Sequence, residues 1–455
     1  MSPVQSFVGL CVLLMVGHWL RVKCRLLQRL YLPSCVIGGL VGLVVLQACK
    51  GLGAPVPATW TAGWGKLPGF LINIVFACLF LGVTLPRVST LWRRAGWQVV
   101  YGQIVAWGQY VVGIGLVLVW LGPMFGLNKL FGGILPVGFE GGHGTAGGMG
   151  PTFAELGWEA GKDFALASAT GGIISAIVVG MLLVNWAARR GYTVRRLSPA
   201  DVPEDDTVGI IPVDRRPIAG RLSVSSDAIE AFSLHVAVVG IAIALGWLMQ
   251  QGLVGLGKVL APEAKRTVLS SFPLFPLCML GGLVCQLFED KFDKHKLLDV
   301  GLTRRIQNTA LDFLVVAAIA TIKLEVIAHG LVPLLILIAA GIAWNVFCVL
   351  VLARRLLPDA WFERSIAEMG QSMGVTATGL LLLRVVDPDY ESPAADAFAC
   401  KQLVHEPFMG GGLWTSAAIP LIALWGGVPV FLVALGAVVT WLVIAVVWRR
   451  ASRGA

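Results

Sequence analysis

Residues 139–151 read FEGGHGTAGGMGP. Six of these thirteen residues are Gly, and the stretch lies between long apolar segments. Each interior Gly costs a helix about 0.5–1 kcal/mol relative to Ala, so the composition predicts a break in place of a continuous helix. In a bilayer a bare N–H or C=O costs several kcal/mol. Non-helical backbone is tolerated there only where protein buries it or where it lines an aqueous cavity. A Gly-rich break at membrane depth therefore lines something.

Membrane depth follows from composition. Of 455 residues, 57% are hydrophobic and 13% charged, against a charged fraction of roughly 25% in soluble domains. The chain reads as an all-α polytopic membrane protein. Apolar spans of about 17–25 residues, enough for the hydrocarbon core, fall near 4–20, 31–49, 68–85, 97–121 and 163–187. A second set follows near 228–250, 268–288, 307–323, 331–352, 398–422 and 427–448. Val4–Leu20 has no basic residue before it and no small-residue cleavage site after it, so it reads as a retained helix and not a signal peptide. The nine Cys, among them Cys78, Cys278 and Cys348, are scattered through apolar spans, which indicates neither a disulfide framework nor a zinc site. The net charge of +9 lies largely in loops; it orients the chain and points to no nucleic-acid partner.

The interval 188–227 holds RRGYTVRR, EDD and several Pro. It reads as a solvated cytoplasmic linker between an N-terminal half, 1–187, and a C-terminal half, 228–422. Residues 423–455 add an extra C-terminal transmembrane helix with a basic tail. Basic residues mark the cytoplasmic loops: Arg21, Lys23, Arg25 and Arg29 after the first span, Arg87, Arg93 and Arg94 after the third, and Arg189, Arg190, Arg195 and Arg196 after the fifth. In the second half Lys291, Lys294, Lys296, Arg304 and Arg305, then Arg354 and Arg355, then Arg449 and Arg450 do the same. This assignment closes only if 130–155 enters and leaves on the outer side and 361–390 on the inner side, both as re-entrant hairpins. The first half then begins outside and the second inside, with the C-terminus cytoplasmic.

The halves also match in residues. LPSCVIGGLV (32–41) and FPLCMLGGLV (275–284) share Pro, Cys, Gly-Gly, Leu and Val at one register. At comparable offsets GGHGTAGG (141–148) faces GQSMGVTATG (370–379), and the span of Asn73 faces that of Asp312. Two inverted-topology repeats of about five transmembrane helices, each with a broken segment, form the architecture in which secondary transporters build a midplane site.

GGHGTA (141–146) and the FALASATGGIISAIVVG that follows (164–180) resemble the bacterial sodium/glutamate symporter family, as do P-x-x-V-x-G-G-L at 33–40, Thr321–Leu324 and Gly370–Leu380. The resemblance covers most of residues 25–425. It implies a homodimeric inner-membrane symporter with two re-entrant hairpins and an elevator-like displacement against a fixed scaffold. The chain departs from the family where that family carries an Asp and an Asn after the second hairpin: Thr415 and Ala418 stand here. Lys401, His405 and Glu406 precede them in a normally apolar region.

On this reading the free N–H groups of Gly141, Gly142, His143, Gly144 and Thr145 meet a substrate carboxylate. Turned carbonyls and the Thr145 hydroxyl hold Na⁺ at the hairpin tips. Gly374, Thr376, Thr378 and Gly379 form the matching element, with Gln371 and Ser372 as further polar groups. Asp312 within a span is a cation or proton candidate, with Asn73 as its repeat partner. His405 and Glu406 are candidates for proton relay, and Lys401 with His405 for the second acid group of a dianion; the alternative is a solvated helix start. Glu140 has no role on this reading, and His143 is either a ligand or a structural cap. The expected activity is sodium-coupled symport of glutamate or a related carboxylate. The alternatives are a proton-coupled organic-anion transporter of the same fold and a passive channel. No nucleophile or metal-ligand spacing supports an enzyme, and no cofactor beyond Na⁺ or H⁺ is expected.

Overall fold

The computed structural model describes residues 3–53, 58–84, 87–193, 208–260, 271–388 and 390–454. Among them every regular element is helical and no strand occurs. The principal helices of the first half are α1 (Pro3–Lys23), α2 (Ser34–Gly51), α3 (Ala58–Ala77), α4 (Val88–Leu116), α5 (Ile134–Phe139), α6 (Gly142–Gly148), α7 (Gly150–Glu155) and α8 (Ala160–Arg190). Those of the second half are α9 (Ala231–Leu260), α10 (Phe275–Phe292), α11 (Val300–Ala320), α12 (Leu331–Phe347), α13 (Trp361–Met373), α14 (Thr376–Val386), α15 (Ala394–Phe408), α16 (Leu413–Trp425) and α17 (Gly427–Gly454).

Among the described residues, eight helical spans are long and apolar enough to cross a membrane. The other three expected spans, near 68–85, 268–288 and 307–323, correspond to α3, α10 and α11, outside those eight. Glu289, Asp290 and Lys291 close α10, and Arg304 and Arg305 open α11, so these ends are polar. Of the expected linker, Arg195, Arg196 and the EDD run at 204–206 lie outside the described residues. The span expected near 398–422 is two helices, α15 and α16, interrupted at Met409–Gly412. Pro407 lacks an N–H, and Gly411 takes φ +90, which favours Gly.

The chain forms two compact units. The first comprises Met1–Leu85, Gly147–Gly157 and Glu204–Ile322. Its packing reuses the two matched Gly-Gly pairs. A Cβ at Gly38 would lie 2.5 Å from the Leu13 carbonyl of α1, and one at Gly281 would press on the Ala242 carbonyl of α9. The second Gly of each pair turns to the other half: Gly39 to Ile319 of α11 and Gly282 to the Ala77 carbonyl of α3. Small residues let helix backbones approach where lipid supplies no hydrophobic drive. The matched cysteines behave alike. The Cys35 thiol lies beside Asp312 on α11, and Cys278 Sγ lies 3.9 Å from Asn73 Oδ1 on α3.

The second unit comprises Pro86–Ala146, Trp158–Pro203 and Lys323–Ala455. Within it α4 is the central helix, packed by α12, α15 and α17, while α13 and α14 fold back on each other as a helical hairpin. Trp448 of α17 stacks on Trp97 of α4 with centroids 4.5 Å apart, and on Trp92 at 5.3 Å.

Gly281→Val should cost about 1–3 kcal/mol by overpacking, seen as reduced yield and a lowered unfolding temperature in detergent. Gly240→Ala on α9, where an added Cβ meets nothing within 4 Å, should leave both near wild type.

Candidate functional site

The first break is shorter than its composition predicts. Glu140 and Gly141 form a turn, Gly142 takes φ +63, and α6 then runs helically through Gly148. Helix propensity argues against this by roughly 0.5–1 kcal/mol per Gly. A buried, unpaired backbone group costs more than that, and most of this stretch is buried, so the helix wins except at the turn. The second break is equally brief. After α13, Gly374 and the extended Val375 turn the chain, and α14 begins at Thr376. The two turns touch: a Cβ at Gly142 would lie 2.9 Å from Val375 Cγ1 and 3.4 Å from the Gly374 carbonyl oxygen.

A buried polar network adjoins them. Lys401 is fully enclosed and donates to Glu368 Oε1 at 2.6 Å, Gln371 Oε1 at 3.0 Å and Gln402 Oε1 at 3.0 Å. Those three bonds use every N–H of its ammonium. The second oxygen of Glu368 accepts from Gln98 Nε2 at 2.9 Å. Gln371 Nε2 donates to Glu140 Oε2 at 2.9 Å, and His405 Nε2 meets the same oxygen at 3.2 Å. His405 Nδ1 faces Gln103 Nε2 at 3.4 Å, and the Trp107 indole donates to Gln103 Oε1 at 3.0 Å. Gln402 carries the network to the second break by donating to Thr376 Oγ1 at 2.5 Å. Helices α4, α13 and α15 thus hold both turns through directed bonds.

The structure distributes the residues singled out in the sequence as follows. Gly141, Gly142, His143, Gly144 and Thr145 lie at the first turn and the start of α6, and Gly374, Thr376, Thr378 and Gly379 at the second turn and the start of α14. His143 Nε2 lies 2.9 Å from Thr170 Oγ1, and Thr170 gives its own hydrogen to the Leu166 carbonyl, so His143 is the donor. Thr145 and Thr378 are buried. Asn73 and Asp312 belong to the first compact unit, whereas the other candidates belong to the second. Asn73 donates to the Gly69 carbonyl at 2.9 Å, and Asp312 is exposed on its helix. The solvated reading of Lys401 and His405 is corrected, since both are fully buried; Glu406 beside them is half-buried.

Glu140, Glu368, Gln98, Gln103 and Trp107 are the members that sequence reasoning missed. The available signal was a carboxylate at an apolar break and another inside an amphipathic segment, each a functional candidate at membrane depth. At the Met409–Gly412 interruption, Thr415 donates to the Met409 carbonyl and accepts from Tyr110 OH at 3.0 Å.

The sodium/glutamate symporter family matches residues 1–391, and the chain belongs to this family. It is therefore a multi-pass membrane transporter and not an enzyme, and membership implies Na⁺ coupling and a glutamate-type substrate. The match ends short of the expected limit near 425 and leaves Lys401, Gln402 and His405 beyond it. No curated protein and no solved structure matches the chain.

Lys401→Met strands Glu368 as a buried charge and should lower stability by about 3–5 kcal/mol, read from unfolding in detergent. Lys401→Met with Glu368→Gln removes both charges and should recover most of that loss.

Proposed function

We propose that this protein is a secondary active transporter that carries glutamate, or a related amino-acid or carboxylate anion, with Na⁺ across a bacterial inner membrane. The observation that carries this reading is the meeting of two helix breaks at Gly142 and Val375, beside a buried charged network, in a chain of the symporter family. The backbone N–H groups of Gly141, Thr145, Gly374, Thr378 and Gly379 are already given to carbonyls of the chain, so those of Gly142, His143 and Gly144 and of Thr376 and Ala377, at the two helix starts, receive the substrate carboxylates. Turned carbonyls at the hairpin tips, with Thr145, hold Na⁺. We read both breaks as re-entrant and the two halves as inverted repeats, supported by the paired use of Gly38 with Gly281, Gly39 with Gly282, and Cys35 with Cys278. An elevator-like displacement needs two bodies, and the chain forms two compact units. The working assembly is a homodimer with the N-terminus outside and the C-terminus in the cytoplasm.

A second reading keeps the fold and replaces Na⁺ with H⁺; the Glu140–His405 contact favours it. Uptake of labelled glutamate into proteoliposomes separates the two. An inward Na⁺ gradient should drive accumulation at constant pH, whereas uptake driven only by a pH gradient supports proton coupling. Saturable uptake excludes a passive pore, and absence of uptake under both gradients would sink the glutamate assignment.

Thr376→Ala removes the acceptor of the Gln402 amide and should reduce initial uptake about tenfold, equivalent to roughly one hydrogen bond. Thr145→Ala should do the same, with folded, membrane-inserted protein in both cases. Normal uptake by both variants removes these hydroxyls from the proposed site.

A further inference from the structure

Donor-only groups at the ends of the buried network fix the direction of its hydrogen bonds. An indole N–H can only donate, so Gln103 accepts from Trp107 through Oε1 and presents its NH₂ to His405 Nδ1. Nδ1 is thereby an acceptor, and the imidazole carries its hydrogen on Nε2, 3.2 Å from Glu140 Oε2. An ammonium also can only donate. Gln371 therefore accepts from Lys401 through Oε1 and donates through Nε2, again to Glu140 Oε2. Both donations end on one oxygen. Glu140 Oε1 has no hydrogen-bond partner, and the residue is 3% exposed.

The charges do not cancel. Lys401 is matched by Glu368, and His405 in this tautomer is neutral, so the Glu140 carboxylate is left over. An uncompensated carboxylate out of water is among the costliest groups a protein can bury. Its charged and titratable surroundings are His405 and Lys401 from α15, Glu368 from α13 behind Gln371, Tyr110 from α4, and His143 just beyond the Gly142 turn. Tyr110 is engaged with Thr415 and His143 with Thr170, while Arg364 of α13 is taken by Asp359 at 2.6 Å. Protonating His405 is blocked, because a second ring N–H would point at the Gln103 amide hydrogens.

We propose that Glu140 Oε1 is a binding site for one small monovalent cation, Na⁺ or H⁺, and that Glu140 is the coupling carboxylate of this transporter. His405 and Gln371 are positioning residues: they occupy Oε2 and leave the buried Oε1 to receive the charge. The assignment rests on the cation-coupled reading given above and adds to it the residue that binds the ion.

The test uses the purified full-length protein and does not require a substrate. Unfolding temperature in detergent is measured first with Na⁺ exchanged for choline at constant pH and ionic strength, then across pH in choline alone. A cation that binds the folded state raises this temperature. Glu140→Gln keeps an oxygen to accept from Gln371 and His405 and should abolish the rise, while Gly240→Ala, whose added Cβ meets nothing within 4 Å, should retain it. A Na⁺-dependent rise lost in Glu140→Gln identifies Na⁺ as the ion, and a rise at lower pH lost in Glu140→Gln identifies H⁺. No rise in wild type under either condition, or an equal rise in Glu140→Gln, overturns the proposal. Infrared difference spectra of wild type give a readout that needs no variant. Na⁺ binding shifts a carboxylate stretch, and proton binding adds the carbonyl stretch of a protonated carboxyl; a spectrum with neither change under both conditions overturns the proposal. Absence of glutamate uptake would sink the substrate reading and leave this result intact.

Discussion

A buried ammonium must give each of its hydrogens to an oxygen, and this constraint organises the second unit. Moving Lys401 out of water costs several kcal/mol, recovered only where partner geometry is good. Glu368, Gln371 and Gln402 supply that geometry at 2.6–3.0 Å. Once their oxygens face Lys401, the amide nitrogens of Gln371 and Gln402 have one direction left. They point to Glu140 and Thr376, one at each helix break. A single charge on α15 thereby sets the polarity of bonds at two turns that are distant in sequence.

The large features of this fold were legible because they rest on local composition. Long apolar runs gave the helices, and clusters of Gly located both turns. The helicity of Gly142–Gly148 was not legible, because propensity describes a helix in water and this segment is buried. Its backbone groups have no water to fall back on, and that cost exceeds the Gly penalty. The interruption at Met409–Gly412 had a signal, Pro407 followed by three Gly, within a span that otherwise reads as continuous. The contact of Glu140 with His405 joins residues 265 apart. Neither a 3.6-residue period nor a short motif encodes such a separation, so only the packing of α4, α13 and α15 brings it out. Lys401 and His405, four apart on α15, share a helix face, but burial of that face depends on what packs against it.

The family match supplies the turns, and the segment after it supplies much of the charge. Glu140, Glu368 and Gln371 lie within residues 1–391, whereas Lys401, Gln402 and His405 lie beyond. Neither group is satisfied without the other. Glu368 without Lys401 is an unpaired buried anion, and Lys401 without Glu368 an unpaired buried cation. Replacing one set without the other leaves a buried charge uncompensated.

The indoles of Trp92, Trp448 and Trp97 form a three-layer stack with interplanar angles of 13° and 7°. Rings this close and this parallel share their electronic transitions. Trp448 reaches the stack from the last helix, while Trp92 and Trp97 stand on the central one. The seating of the C-terminal helix is thus written into the near-ultraviolet absorption and circular dichroism of the native chain, and the protein carries an optical label that no one has to attach.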